Sequence, residues 1–202
     1  MPLKIKFFLF FISNICFSQF QDSTITNLPP SKKLLWGENG LIRKLNLAPE
    51  SRKMELKLRH KMLKTHQKMG LATLGMMGYQ FYLGKELYEG RKVDATIHKY
   101  LGYSTFTTYL TTASLSICDP PAVRYSNGIS SIKLHRYLSY IHFVGMLAMP
   151  YLGYLSSGNS DYKNESGTIE YNYSDKALLA HNFIGYITFY SFSLAFLSTL
   201  LP

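Results

Sequence analysis

Six histidines stand in the 202-residue chain, and four of them share a pattern. The strings are HQKMGL from His66, HKYLGY from His98, HRYLSY from His135 and HNFIGY from His181. Each puts a small residue four positions after the imidazole: Gly70, Gly102, Ser139 and Gly185. Residues i and i+4 lie one turn apart on the same helix face, so a small side chain there leaves room beside the ring. A flat, bulky ligand could occupy that room. Two axial imidazoles saturate a haem iron and suit it to electron transfer rather than oxygen chemistry. Taken singly, each histidine also fits a hydrogen-bonded interfacial residue, and each Gly or Ser fits plain helix packing. Recurrence on four segments is what favours the ligand reading.

His142, in HFVGM, lies two turns beyond His135 on the same helix face and is an alternative to it as the partner of His66. His60 sits in a basic stretch and reads as an exposed residue. A di-iron carboxylate site needs paired Glu-x-x-His motifs, and the chain contains none. No Cys-x-x-Cys-His motif is present either, so a haem here is non-covalent haem b, and two are expected. No catalytic residue is expected beside these cofactor-binding and metal-ligating histidines.

The elements that carry the histidines follow from the charge pattern. Met69 to Gly84, Tyr100 to Cys118, Tyr137 to Ser160 and Ala177 to Pro202 hold no Asp, Glu, Lys or Arg. A membrane-spanning helix needs roughly 17–25 predominantly apolar residues. Three stretches suffice as they stand, and the first does by borrowing Lys68 and Lys85. The expected spans are 66–85, 98–118, 135–156 and 177–200. The expected fold class is all-α, an integral membrane four-helix up-and-down bundle over residues 51–202, since short connections make neighbouring helices antiparallel. Alternation then puts His66 and His135 near one membrane face and His98 and His181 near the other.

Ahead of the bundle, Lys4 and Lys6 precede an uncharged run from Phe7 to Gln21, which reads as a signal peptide over residues 1–20. With it removed, Cys118 stays alone and cannot form an internal disulfide. Residues 21–50, with Pro29, Pro30 and WGENG, read as a surface or interfacial segment, and Pro49 suits the first position of the next helix.

A net charge of +10 and a pI near 9.5 would suggest nucleic acid as a partner of a soluble protein. Here the charge lies outside the spans, so membrane lipid is the expected partner and nucleic acid is not. Residues 22–68 and 119–136 carry 14 Lys/Arg against 5 acids, whereas 85–99 and 161–176 carry 6 against 7. The positive-inside rule puts the basic side in the cytoplasm; a cleaved signal peptide puts it outside. The signal-peptide reading is adopted: a multi-pass protein of a bacterial-type inner membrane with an extracytoplasmic N-terminus. Arg59, Lys61, Lys64, Lys133 and Arg136 suit neutralisation of haem propionates or ordinary interfacial anchoring. Tyr100, Tyr103, Tyr137, Tyr140 and Tyr186 suit an interfacial aromatic belt or a haem edge.

On His66, His98, His135 (or His142) and His181, and on the spacing and topology around them, the chain resembles the cytochrome b561 superfamily as a divergent bacterial-type member over about residues 60–200. The resemblance implies that the first helix pairs with the third and the second with the fourth around two haems b near opposite membrane faces. It further implies transmembrane electron transfer, as a carrier or an oxidoreductase subunit. The donor and acceptor are not implied; a quinol and an acidic soluble redox protein are the chemical classes considered. The ascorbate-binding signature of the eukaryotic branch is absent. The competing function is a haem-free membrane scaffold or assembly subunit, which an absorption spectrum separates from a cytochrome.

Orientation is open to direct test. A reporter fused after Asp175 should report a cytoplasmic position; activity only in the periplasm reverses the assignment in favour of the charge asymmetry.

Overall fold

The computed structural model describes residues 28–122, 130–157 and 175–200. The signal peptide, most of the 119–130 loop and nearly all of the polar linker before Asp175 lie outside those residues. Among the described residues every regular element is a helix: α1 Pro30–Trp36, α2 Leu41–Lys44, α3 Arg52–Tyr88, α4 Ala95–Ile117, α5 Ser131–Ser156 and α6 Asp175–Ser198. The all-α expectation is met.

Local chemistry sets the helix ends. α3 begins beyond Ser51 rather than at Pro49, because Ser51 Oγ accepts from Met54 N at 3.3 Å and Ser51 O from Glu55 N at 3.0 Å. Its C-terminus closes on Gly90 at φ 72°, with Arg91 N donating to Glu86 O at 2.9 Å. Asp94 Oδ1 caps α4 by accepting from Thr96 N at 2.7 Å, and Ser130 caps α5 through Lys133 N at 3.3 Å. At 37 residues α3 is about 55 Å long, well beyond a ~30 Å hydrocarbon layer.

The chain divides into two compact units. The first comprises residues 1–68 and 111–129, hence α1, α2, the N-terminal part of α3 and the last turns of α4. Two buried carboxylates organise it. Asp119, 2% exposed, is gripped by Lys32 and Arg59, one on each oxygen. Lys32 Nζ also donates to the carbonyls of Ser116 at 3.0 Å and Ile117 at 3.1 Å, and so satisfies the open end of α4. Trp36, 3% exposed, donates from Nε1 to Cys118 O at 3.0 Å. Glu55 is held by Arg43 at 2.8 Å and Arg52 at 2.6 Å. Residues 30–44, expected as a surface segment, therefore fold into two short helices, the first of which is bonded to the end of α4.

The second unit comprises residues 69–110 and 130–202. Its helices run antiparallel to their chain neighbours: Gly84 near the end of α3 abuts His98 near the start of α4, and Gly153 near the end of α5 abuts His181 near the start of α6. α5 and α6 approach closely enough at Gly145 that a Cβ there would collide with the Thr188 side chain. Phe81 of α3 stacks on Phe189 of α6 at 4.7 Å and meets Tyr186 edge-on at 5.0 Å.

The interior of the second unit is mixed, with Met77, Leu83, Tyr109, Met146, Phe192 and Ala195 buried beside polar side chains. Thr73, Thr105, Thr188, Ser191, Ser198 and His142 are buried, while Tyr79, Val144, Phe183, Tyr190 and Leu194 are 46–62% exposed. Among the described residues α5 alone is long and apolar enough to cross a membrane by length and composition. α4 and α6, at 23 and 24 residues, have the length. Their hydropathy is lowered by STFTTYLTTAS in α4 and by His181, Asn182 and the interspersed Tyr and Ser of α6.

The two carboxylates differ in how well their cations are shielded. Lys32 and Arg59 are 11% and 24% exposed, but Arg43 and Arg52 are 41% and 42% exposed. Asp119→Ala, which takes the carboxylate from two shielded cations, should cost about 3 kcal/mol; Glu55→Ala should cost about 1 kcal/mol because its cations are more open to water. Thermal unfolding of both variants in one detergent checks the order; equal midpoints would contradict it.

Candidate functional site

His98 occupies the first turn of α4 and His181 the second turn of α6. Within the second unit their rings meet with centroids 6.3 Å apart and planes at 72°. Each ring rests on a glycine of a neighbouring helix: a Cβ at Gly84 would lie 3.0 Å from His98 Cε1, and one at Gly153 would lie 3.2 Å from His181 Cε1. A side chain at either position would displace the imidazole or be displaced by it.

The residues four positions on behave differently from expectation. The space beside Gly102 is taken by Gln80, whose Nε2 would be 3.1 Å from a Cβ at residue 102; beside Gly185 stands the Met149 methyl at 3.4 Å. Antiparallel packing fills these notches with side chains from the adjoining helix, which intrahelical spacing does not reveal. Only Gly70 is open, a Cβ there meeting nothing within 4 Å among the described residues. Ser139 Oγ turns back to Arg136 O at 2.7 Å.

A bis-imidazole iron site requires two metal–nitrogen bonds of about 2 Å plus the inner half of each ring, hence ring centres roughly 6 Å apart. The His98–His181 separation fits that requirement. Gln80 Oε1, beside His98, is moreover buried with no hydrogen-bond partner among the described residues. Buried polar atoms are rarely left so in a complete structure. The separation of the two rings accords with their holding one iron between them.

His66 belongs to the first unit, where its Nδ1 lies 2.7 Å from Thr112 O. His135 belongs to the second, with Nδ1 2.8 Å from Ala195 O. A carbonyl only accepts, so Nδ1 carries the proton in both and the ring lone pair falls on Nε2. That tautomer, anchored on a backbone carbonyl, is the usual one for a metal-ligating histidine. His142 has a different setting: 6% exposed, it bonds the Tyr109 hydroxyl through Nδ1 at 2.8 Å and packs against Phe192 at 4.9 Å.

Of the cations considered for propionates, Arg59 is committed to Asp119 and to Pro120 O at 2.7 Å. Arg59, His60, Lys64 and Gln67, with Leu56 and Leu63, line a groove of about 500 Å³ on α3. His60 is exposed, as expected. Tyr100, Tyr103, Tyr137 and Tyr140 are 41–64% exposed, whereas Tyr186 is half-buried and meets Phe81 edge-on. Sequence reasoning passed over Gln80, Gly84 and Gly153. Gln80 carries the one signal that could have been read, as the sole amide side chain in the charge-free stretch from Met69 to Gly84.

No protein-family model, curated protein or solved structure matches the chain.

The setting of His142 is testable without reference to any cofactor. Tyr109→Phe removes the hydroxyl that bonds its ring and should cost about 1 kcal/mol, lowering Tm by roughly 2–4 °C for a chain of this size. An unchanged Tm would mean that this bond contributes nothing to the fold.

Proposed function

We propose that the chain is a transmembrane electron-transfer cytochrome of the b561 type, in which His98 and His181 hold one non-covalent haem b. The observation that carries the reading is the 6.3 Å approach of two imidazoles from different helices, each seated on a glycine of a neighbouring helix. A haem bound by two axial imidazoles supplies one-electron exchange with no open coordination position. Gly84 and Gly153 supply the clearance that lets the Cε1 edge of each ring approach the neighbouring helix. A second haem is proposed for His66 with His135, or with His142, on the sequence pattern alone.

Four membrane spans accord with the apolar exterior and hydroxyl-rich interior of the second unit. A helix that fails a simple hydropathy threshold still belongs in lipid when its polar side chains face other helices and back-bond to their own carbonyls, as Thr105 and Thr188 do. The proposed location is a bacterial-type inner membrane, with lipid as the surrounding partner. The basic N-terminal side suits an acidic soluble redox protein as donor or acceptor through charge complementarity, with a quinol as the alternative donor.

Detergent-purified protein, expressed with ample haem, should show a b-type reduced-minus-oxidised spectrum and yield its haem to acidified organic solvent. His98→Ala and His181→Ala should each lower haem content towards half. The double variant should fall little further, because two ligands of one iron act as a unit. His66→Ala should deplete the other haem, and whichever of His135→Ala and His142→Ala reproduces it identifies the ligand on α5. Haem-free protein would instead favour a scaffold subunit, and two intact low-spin haems in the His98/His181 double variant would refute the pairing.

A further inference from the structure

Gln80 reaches from α3 to the His98 imidazole in an arrangement that helix packing alone does not require. Its Nε2 donates to His98 O at 2.9 Å and lies 3.2 Å from both ring nitrogens. Its Oε1 is buried without a hydrogen-bond partner among the described residues. The notch that admits the amide is Gly102, where any larger residue would press on Nε2 at 3.1 Å.

A neutral imidazole offers one N–H and one lone pair. When one ring nitrogen gives its lone pair to a metal, the other carries the proton and needs an acceptor. For His66 and His135 the acceptors are the backbone carbonyls of Thr112 and Ala195. At His98 the group within reach is the Gln80 amide. An amide carries a donor and an acceptor on one rotatable group, whereas a carbonyl carries an acceptor alone. With the ring lone pair uncommitted, the amide N–H can serve it. With Nε2 committed, the Oε1 end is the one the ring proton needs.

We propose that Gln80 is the positioning residue of His98, turning its amide so that Oε1 accepts the Nδ1 proton when Nε2 serves as ligand. The inference rests on the bis-histidine reading of His98 and His181. It gives the orphaned Oε1 a partner and gives Gly102 a purpose: clearance for the amide rather than for the cofactor. An acceptor on Nδ1 raises the basicity of the ligand and so favours ferric over ferrous iron, which makes the reduction potential sensitive to residue 80.

The test uses full-length protein in detergent and follows the haem that His98→Ala removes, by redox titration and low-temperature electron paramagnetic resonance. Gln80→Leu removes the acceptor at nearly constant volume, so that haem should titrate at a higher potential with altered g-values while the other haem is unchanged. Gln80→Glu puts a stronger, carboxylate acceptor in the same place and should move the potential below the wild-type value. Should Gln80→Leu fail to fold or to load haem, the Gln80→Glu potential decides alone: a fall relative to wild type supports the inference and an unmoved value overturns it. If His98→Ala and His181→Ala each empty one site yet neither Gln80 variant moves its potential or g-values, the positioning role is wrong and the haem site stands. If the two histidines can be changed together with both haems retained, the haem reading fails and takes this inference with it.

Discussion

Buried polar groups in the helical second unit are, with few exceptions, bonded within the protein, and this constraint shapes most of what is seen there. Thr73, Thr105, Thr188 and Ser191 each donate to the carbonyl four residues back, at 2.6–2.8 Å. A hydroxyl satisfied by its own helix leaves no unmet demand, yet keeps the side chain short enough for helices to approach. Gly145 against Thr188 is the closest instance. With the hydroxyls turned inward, Leu, Tyr and Phe side chains of the second unit are left on the outside.

The same rule governs the first unit with charges in place of hydroxyls. Buried carboxylates are tolerated only when paired and hydrogen-bonded. Asp119 and Glu55 each have two cations, and those cations come from α1, from α3 and from the segment between them. Lys32 joins two tasks, neutralising Asp119 and capping the carbonyls at the end of α4. This fastens α1 to the terminus of a long helix and accounts for order in a stretch rich in Pro and Gly.

The histidines stand at the meeting of polarity and packing. His66 and His135 spend Nδ1 on carbonyls, and His142 spends its Nδ1 on a tyrosine. His98 and His181 instead face each other, with the buried Gln80 Oε1 beside them unpartnered among the described residues. That contrast, more than the presence of imidazoles, sets this pair apart from the other histidines.

What the sequence determined by itself was local. The four charge-free stretches became parts of four long helices, and Ser51, Gly90 and Asp94 mark ends that capping chemistry dictates. The alternation of short connections is enough to bring His98 and His181 to the same end, because antiparallel neighbours return to the same level. Tertiary structure alone decided which small residue each imidazole leans on. The i+4 rule pointed to Gly102 and Gly185, but the contacts are Gly84 and Gly153, residues of other helices whose register no intrahelical period encodes. It likewise decided the place of Gln80 beside His98 and of Lys32 on Asp119, 18 and 87 positions apart in the chain. Such pairings depend on how one helix is rotated and shifted against another. That rotation is set by the sum of many packing contacts across the interface, and no short stretch of sequence contains it.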